Sequence, residues 1–189
     1  MKKTYLTESA FTSFRHRIGW LLFLMVSATF TGIIINHFES AISSMVVLTA
    51  FIPMLMDTGG NSGSQSSVTI IRALALEEIQ FKDFFRVIIK EFLTALLCGF
   101  ILSAVCFIKI LIVDRNILSN ENITILVDLT VCLSLFLTII ISKVIGAALP
   151  LIAKKLHADP AVMASPLITT ISDALSLLVY FGLARCLLW

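Results

Sequence analysis

Five long apolar runs leave this chain few ways to fold. They extend from Ile18 to Phe38, Ala41 to Ile71, about Phe84 to Val113, Ile123 to about Leu151, and Ala161 to Leu188. A helix needs about 20 mostly apolar residues to cross a bilayer, and each run reaches that length. The runs are continuous rather than alternating, and they are too few for a closed barrel, so transmembrane strands are excluded. Hydrophobic residues make up 58% of the 189 residues and charged residues 14%. Soluble domains hold about 25% charged residues. The expected class is therefore an all-α integral membrane protein with five transmembrane helices. Little chain remains for a soluble domain, and a net charge of +2 spread over several loops leaves no footprint for nucleic acid.

Lys and Arg give the expected orientation. Eleven of the 14 lie around one set of loops: Lys2, Lys3, Arg15, Arg17, Arg72, Lys82, Arg86, Lys90, Lys143, Lys154 and Lys155. Only Lys109, Arg115 and Arg185 fall on the other side. The positive-inside rule then places the N-terminus in the cytoplasm and the C-terminus outside. Residues 1–17 form a cytoplasmic N-terminal segment. They lack the apolar stretch and cleavage site of a signal peptide. Phe11, Phe14 and Ile18 have the spacing of a surface helix opened near Thr7; a frayed tail is the competing reading.

The second run contains "DTGGNSGSQ", residues 57–65. On a helix, Asp57, Asn61, Gln65 and Thr69 are spaced by four and share a face, with Arg72 near its end. Polar groups facing lipid are costly, so the stripe is expected to face protein or water, as the wall of a hydrophilic path. Gly59 and Gly60 each weaken a helix by about 1 kcal/mol, and Pro53 can kink it. The expectation is a helix broken at the Gly-Gly pair, with its carbonyls turned to a cavity. The competing reading is packing: Gly59, Gly63 and Ser67 form a small-xxx-small series. A weak point is also expected at Gly146 to Pro150.

The fifth run holds one acid, Asp173, in "PLITTISDALSLLVYFG". Thr169, Asp173, Ser176 and Tyr180 share a helical face, and Thr170 lies beside it. No Lys or Arg is within two turns. Asp173 is either protonated, paired with another helix, or balanced by a mobile cation. An acid with amides, hydroxyls and carbonyls suits a hydrated divalent cation, of which Mg²⁺, which keeps several waters, is one; spacing alone goes no further. No thiolate or imidazole cluster favours zinc or copper, while proton relay stays open. The four cysteines and three histidines make no metal or catalytic motif, and Cys98, Cys106, Cys132 and Cys186 read as small buried hydrophobes. Glu91 reads as half of a structural ion pair with Lys90, Lys143 or Arg72. Asp128 reads as interfacial or as an attractor of cations at the mouth, and Lys143 as snorkelling to the interface.

These stretches resemble the MgtE family of magnesium channels. The similarity lies in Pro53 to Gln65, Ile71 to Glu77, Asp159-Pro160, Pro166 to Asp173, and Lys90-Glu91-Phe92 followed by Gly99. The resemblance implies that residues 18–189 form a five-helix pore domain in a prokaryotic plasma membrane. It also implies a homodimer with the pore on its two-fold axis, lined by the second and fifth helices. The pore carboxylate maps to Asp173. Gly59, Gly60 and Asn61 would contact the water shell of Mg²⁺, the transported ion, and Thr169 and Asp57 would stand near it. Gln65, Thr69, Thr170 and Ser176 would line the pore. Family members carry a cytosolic part with an N-terminal helical domain, CBS domains and a plug helix. Only 17 residues precede the first run here, at most a remnant of the plug.

The leading expectation is a passive channel for Mg²⁺. A coupled cation carrier could use the same residues, although no inverted repeat is evident. A non-transporting scaffold predicts that Asp173→Asn changes stability alone. An enzyme has the least support, since no nucleophile–base pair is in reach by spacing.

Overall fold

The computed structural model describes residues 9–120, 122–157 and 160–188, and within them all side chains except those of His16, Ala41 and residues 161–166. Lys2, Lys3 and Asp159 lie outside the described residues, as does the Thr7 helix start. The described residues form seven α-helices and no strand: α1 (Ala10–Ser27), α2 (Thr29–His37), α3 (Glu39–Ser44), α4 (Ile52–Ala75), α5 (Phe84–Lys109), α6 (Ile125–Lys155) and α7 (Pro160–Leu188). A 3₁₀ stretch, Val46–Phe51, leads into α4, and a π-helical turn, Ile110–Ile117, ends α5. Four stretches are long and apolar enough to cross a membrane: Ala10–His37, Phe81–Ile117, Ile125–Lys155 and Leu167–Leu188. The fifth expected crossing, α4, has 24 residues, or about 36 Å of length, but is too polar to qualify by composition.

The caps are local chemistry. Ser9 Oγ accepts the Thr12 amide at the start of α1, and Thr124 Oγ1 accepts the Val127 amide at the start of α6. The surface helix expected in residues 1–17 is thus, from Ala10 onward, the start of the first membrane helix. Pro53 does not kink a helix; it sits in the first turn of α4, where its missing N–H leaves no hydrogen bond unmade. At the far end, Glu77 adopts φ 57°, the Glu78 amide bonds to the Ala73 carbonyl at 2.9 Å, and the Glu77 amide to Leu74 at 3.3 Å. That is a Schellman stop built without glycine.

The expected break at Gly59-Gly60 is not there. α4 runs through both glycines without interruption, so their carbonyls belong to the helical ladder. The second apolar run is divided earlier, at Met45, which leaves the helical region with φ −139° and ψ 72°. The physical reason is packing. α4 lies against α6 and α7, and α6 also lies against α5. A Cβ on Gly59 would come within 2.7 Å of Thr138 Cγ2 and 2.8 Å of Ser176 Oγ. One on Gly63 would meet Ile168 Cγ2 at 2.7 Å and the Ser142 carbonyl at 2.9 Å, and one on Gly146 would overlap the Gly63 carbonyl. Close approach of backbones is what small residues give membrane helices. α6 likewise continues through Gly146 and Pro150 without a break.

Two apolar clusters brace the bundle. The larger one joins Leu48, Phe51 and Leu55 to Val127, Val131, Leu177, Tyr180 and Phe181. Tyr180 donates its hydroxyl to the Leu48 carbonyl at 3.0 Å, which satisfies one group of the 3₁₀ stretch. The smaller joins Ile70, Leu74, Val87, Ala147 and Leu151. α1 and α2 stand apart. None of the most apolar stretch of Ala10–His37 is buried. Its contact is with α7, anchored where Phe38 stacks on Phe181 with centroids 5.0 Å apart.

Candidate cation site

One side of α4 is packed; the next is open. Asp57, Gly60 and Asn61 on α4 and Thr169 and Asp173 on α7 line a cleft of about 410 Å³, together with Ile52, Pro53 and Met56. The fold brings these five expected site residues together. Asp57 is exposed and accepts a hydrogen bond from Asn61 Nδ2 at 3.1 Å. That bond holds the amide and the carboxylate as one unit, one turn apart. Asp173 is half-buried, and the Asp57 carboxylate is near enough for the two charges to repel. Among the described residues neither acid has an ion-pair partner. Gly60 keeps the wall open: a methyl there would lie 3.5 Å from Thr169 Cγ2 and 3.9 Å from Asp173 Oδ1, in ordinary contact.

The other expected residues are placed elsewhere. Gly59 turns to α6 and α7, away from the cleft. Ser176 is buried against Gly59 and donates to the Ser172 carbonyl at 2.6 Å. Gln65 is exposed beyond the cleft lining, and Thr170 is half-buried on α7. Thr69 lines a different cavity of about 400 Å³ between α4 and α5, with Arg72, Glu78, Lys90 and Glu91. The reason is arithmetic. At about 100° per residue, a series spaced by four drifts about 40° each step, so Thr69 points about 120° away from Asp57.

Two further expectations are corrected. Asp128 is fully buried, not interfacial, and its Oδ1 accepts the Cys132 thiol at 3.3 Å. Lys143 does not snorkel. It is buried beside α4, where its Nζ donates to Ser66 Oγ at 3.4 Å, and Ser66 in turn donates to Glu91 Oε2 at 2.6 Å. Glu91 does pair with Lys143, but through a hydroxyl. Sequence reasoning does not single out Ser66; the available signal is one acid in the third run and one base in the fourth, each too deep to reach water cheaply. Cys106 and Cys132 are buried and unbridged, as expected, while Cys186 is exposed.

No group of three or more His, Cys, Asp or Glu converges among the described residues. The cleft offers two carboxylates, an amide and a hydroxyl-bearing helix face.

An all-helical bundle with four stretches long and apolar enough to cross a membrane, and with acids on an open face, defines an integral membrane protein. The comparisons make the class specific. The MgtE family model, described as a divalent cation transporter, matches residues 52–183, so the chain belongs to the MgtE family. It is 41% identical over 181 residues to the magnesium transporter MgtE of Bacillus subtilis, covering 96% of this chain and 38% of that protein. It is 36% identical over 172 residues to the magnesium transporter MgtE of Thermus thermophilus, covering 91% of this chain and 36% of that protein. To the magnesium transporter MgtE of Enterococcus faecalis it is 29% identical over 178 residues, covering 94% of this chain and 38% of that protein. The chain spans under two-fifths of the length of each of these relatives.

Proposed function

We propose that this chain forms the pore of a Mg²⁺ channel. Two copies face one another across the α4–α7 cleft, and hydrated or partly hydrated ions pass along their shared axis. The observation that carries this reading is the pair of acids without ion-pair partners among the described residues, Asp57 and Asp173, brought from two helices to one open face of the bundle. An unpaired acid at bilayer depth is costly unless water or a cation reaches it. A second copy would set two Asp173 carboxylates at one site and supply the missing wall. Two acids and several neutral oxygens suit an ion that keeps much of its water. α4 is then the fifth crossing: its polar face needs no lipid-compatible side chains because it lines the path. The relatives' printed names, magnesium transporters, support Mg²⁺ as the cargo. The positive-inside rule supports a cytoplasmic N-terminus in a bacterial plasma membrane.

The driving force for a channel is the membrane potential, about 2.3 kcal/mol per charge per 100 mV and twice that for a divalent ion. The test is Mg²⁺ uptake into proteoliposomes loaded with a magnesium dye, wild type beside Asp173→Asn, with and without an imposed potential. Potential-driven uptake, cut about tenfold in the variant, is expected. Uptake that ignores potential and follows a counter-gradient would replace the channel with a coupled carrier. A folded wild type without uptake would leave a non-transporting membrane subunit.

A further inference from the structure

Lys143 places a positive charge inside the bundle, directly behind the helix that carries the cation site. It is buried, and its ammonium bonds to Ser66 on α4. Ser66 lies five residues along α4 from Asn61, a rise of about 7.5 Å. Asp57, at the far end of the cleft, is nine residues from Ser66, a rise of about 13.5 Å, and a unit charge even about 15 Å from a divalent ion in a protein interior changes its affinity tenfold or more. Left alone, Lys143 would repel every cation approaching the Asp57–Asp173 cleft. It is not left alone: the bonds run in one direction, Lys143 Nζ to Ser66 Oγ and Ser66 Oγ to Glu91 Oε2. The two charges are separated by no more than the lengths of those two bonds. Viewed from the cleft they cancel.

We propose that Glu91 is a specificity-determining residue of the cation path: it cancels the charge of Lys143, and the strength of that cancellation sets the affinity of the cleft for divalent cations. The inference rests on the transport reading of the cleft. It also explains why a buried acid on α5 and a buried base on α6 are joined through a hydroxyl of α4, the helix that lines the cleft. A structural clip would serve as well with neutral partners, and apolar replacement of a buried pair is often neutral or stabilising. What neutral partners cannot do is balance a field.

The sign of the effect separates this role from a structural one. Half-effective Mg²⁺ is read in two ways for the whole chain: from uptake into proteoliposomes, and from the Mg²⁺-dependent rise in melting temperature. Glu91→Gln exposes the lysine charge and is expected to raise half-effective Mg²⁺ at least fivefold. Lys143→Met exposes the glutamate charge and is expected to lower it at least twofold. The double variant is expected to return to within twofold of wild type. Single variants that shift affinity in the same direction, or that lower only the maximal rate at unchanged half-effective Mg²⁺, would overturn the proposal. If Glu91→Gln does not fold, Lys143→Met decides alone: a lower value supports cancellation, and an unchanged or higher one overturns it. A wild type that is stabilised by Mg²⁺ but does not transport it defeats the channel reading, and the melting data still decide the role of Glu91. A wild type that neither transports nor responds to Mg²⁺ defeats both.

Discussion

α4 carries two charged neighbourhoods that differ in almost every respect. Around Asn61 the acids Asp57 and Asp173 face an open cleft without cationic partners. Around Ser66, one and a half turns on, Glu91 and Lys143 are buried and joined through a hydroxyl. The first region sets two acids on an open face, where the proposed cation would come and go. The second holds one charge of each sign, joined by a hydroxyl, at the edge of the cavity between α4 and α5. A membrane bundle can keep ionisable groups in either state, but the cost is met differently: by water and, on the proposed reading, a mobile ion in one case, by a fixed partner in the other. The glycines separate the two. Gly59 and Gly63 seal the packed side of the helix, and Gly60 leaves the other side open.

Four substitutions, and a fifth as control, break or sharpen this contrast. The largest effect is expected from Gly146→Ala, whose methyl overlaps the Gly63 carbonyl and forces α4 from α6. A loss of about 3 kcal/mol is expected from such overpacking, seen as a fall in detergent melting temperature. Ser66→Ala removes the hydroxyl between two charges and should cost about 2 kcal/mol. Because both charges remain, its half-effective Mg²⁺ should stay within about twofold of wild type. Asp173→Asn should leave the melting temperature in Mg²⁺-free buffer unchanged or raised, since it relieves repulsion with Asp57, and should cut uptake about tenfold, equivalent to about 1.4 kcal/mol. The smallest is Gly60→Ala. Its methyl meets ordinary contacts, and alanine favours the helix by up to about 1 kcal/mol. Stability should hold or rise while uptake falls as the cleft narrows; Gly59→Ala, one residue away, should instead lower the melting temperature.

The same contrast explains which parts of the molecule can be read from residues. The spans at the first, third, fourth and fifth runs follow from hydropathy, and the convergence of Asp57, Asn61 and Asp173 follows from two polar faces in otherwise apolar helices. The continuity of α4 does not follow. Glycine propensity argues for a break, and only the positions of Thr138, Ser142 and Ile168 on other helices show that the glycines are small to admit neighbours. Asp128 and Lys143 mislead for a related reason. Their distance from a segment end suggests the interface, but burial depends on which face of α6 meets α4 and α5, a tertiary fact. Counting in fours assigns Thr69 to the path, and the drift of about 40° per step carries it into the next cavity.

The weak attachment of the first helix has a consequence for the choice of membrane. Ala10–His37 has 28 residues, about 42 Å of helix, against a hydrocarbon layer of about 30 Å. The core helices are locked together by their glycine contacts and tilt as one body. This helix is held mainly near Phe38 and Phe181, so it can tilt by itself about that point. The expectation is that in a thin bilayer it takes up the mismatch as inclination and leaves the spacing of α4, α6 and α7 undisturbed; it would then act as a shock absorber for bilayer thickness.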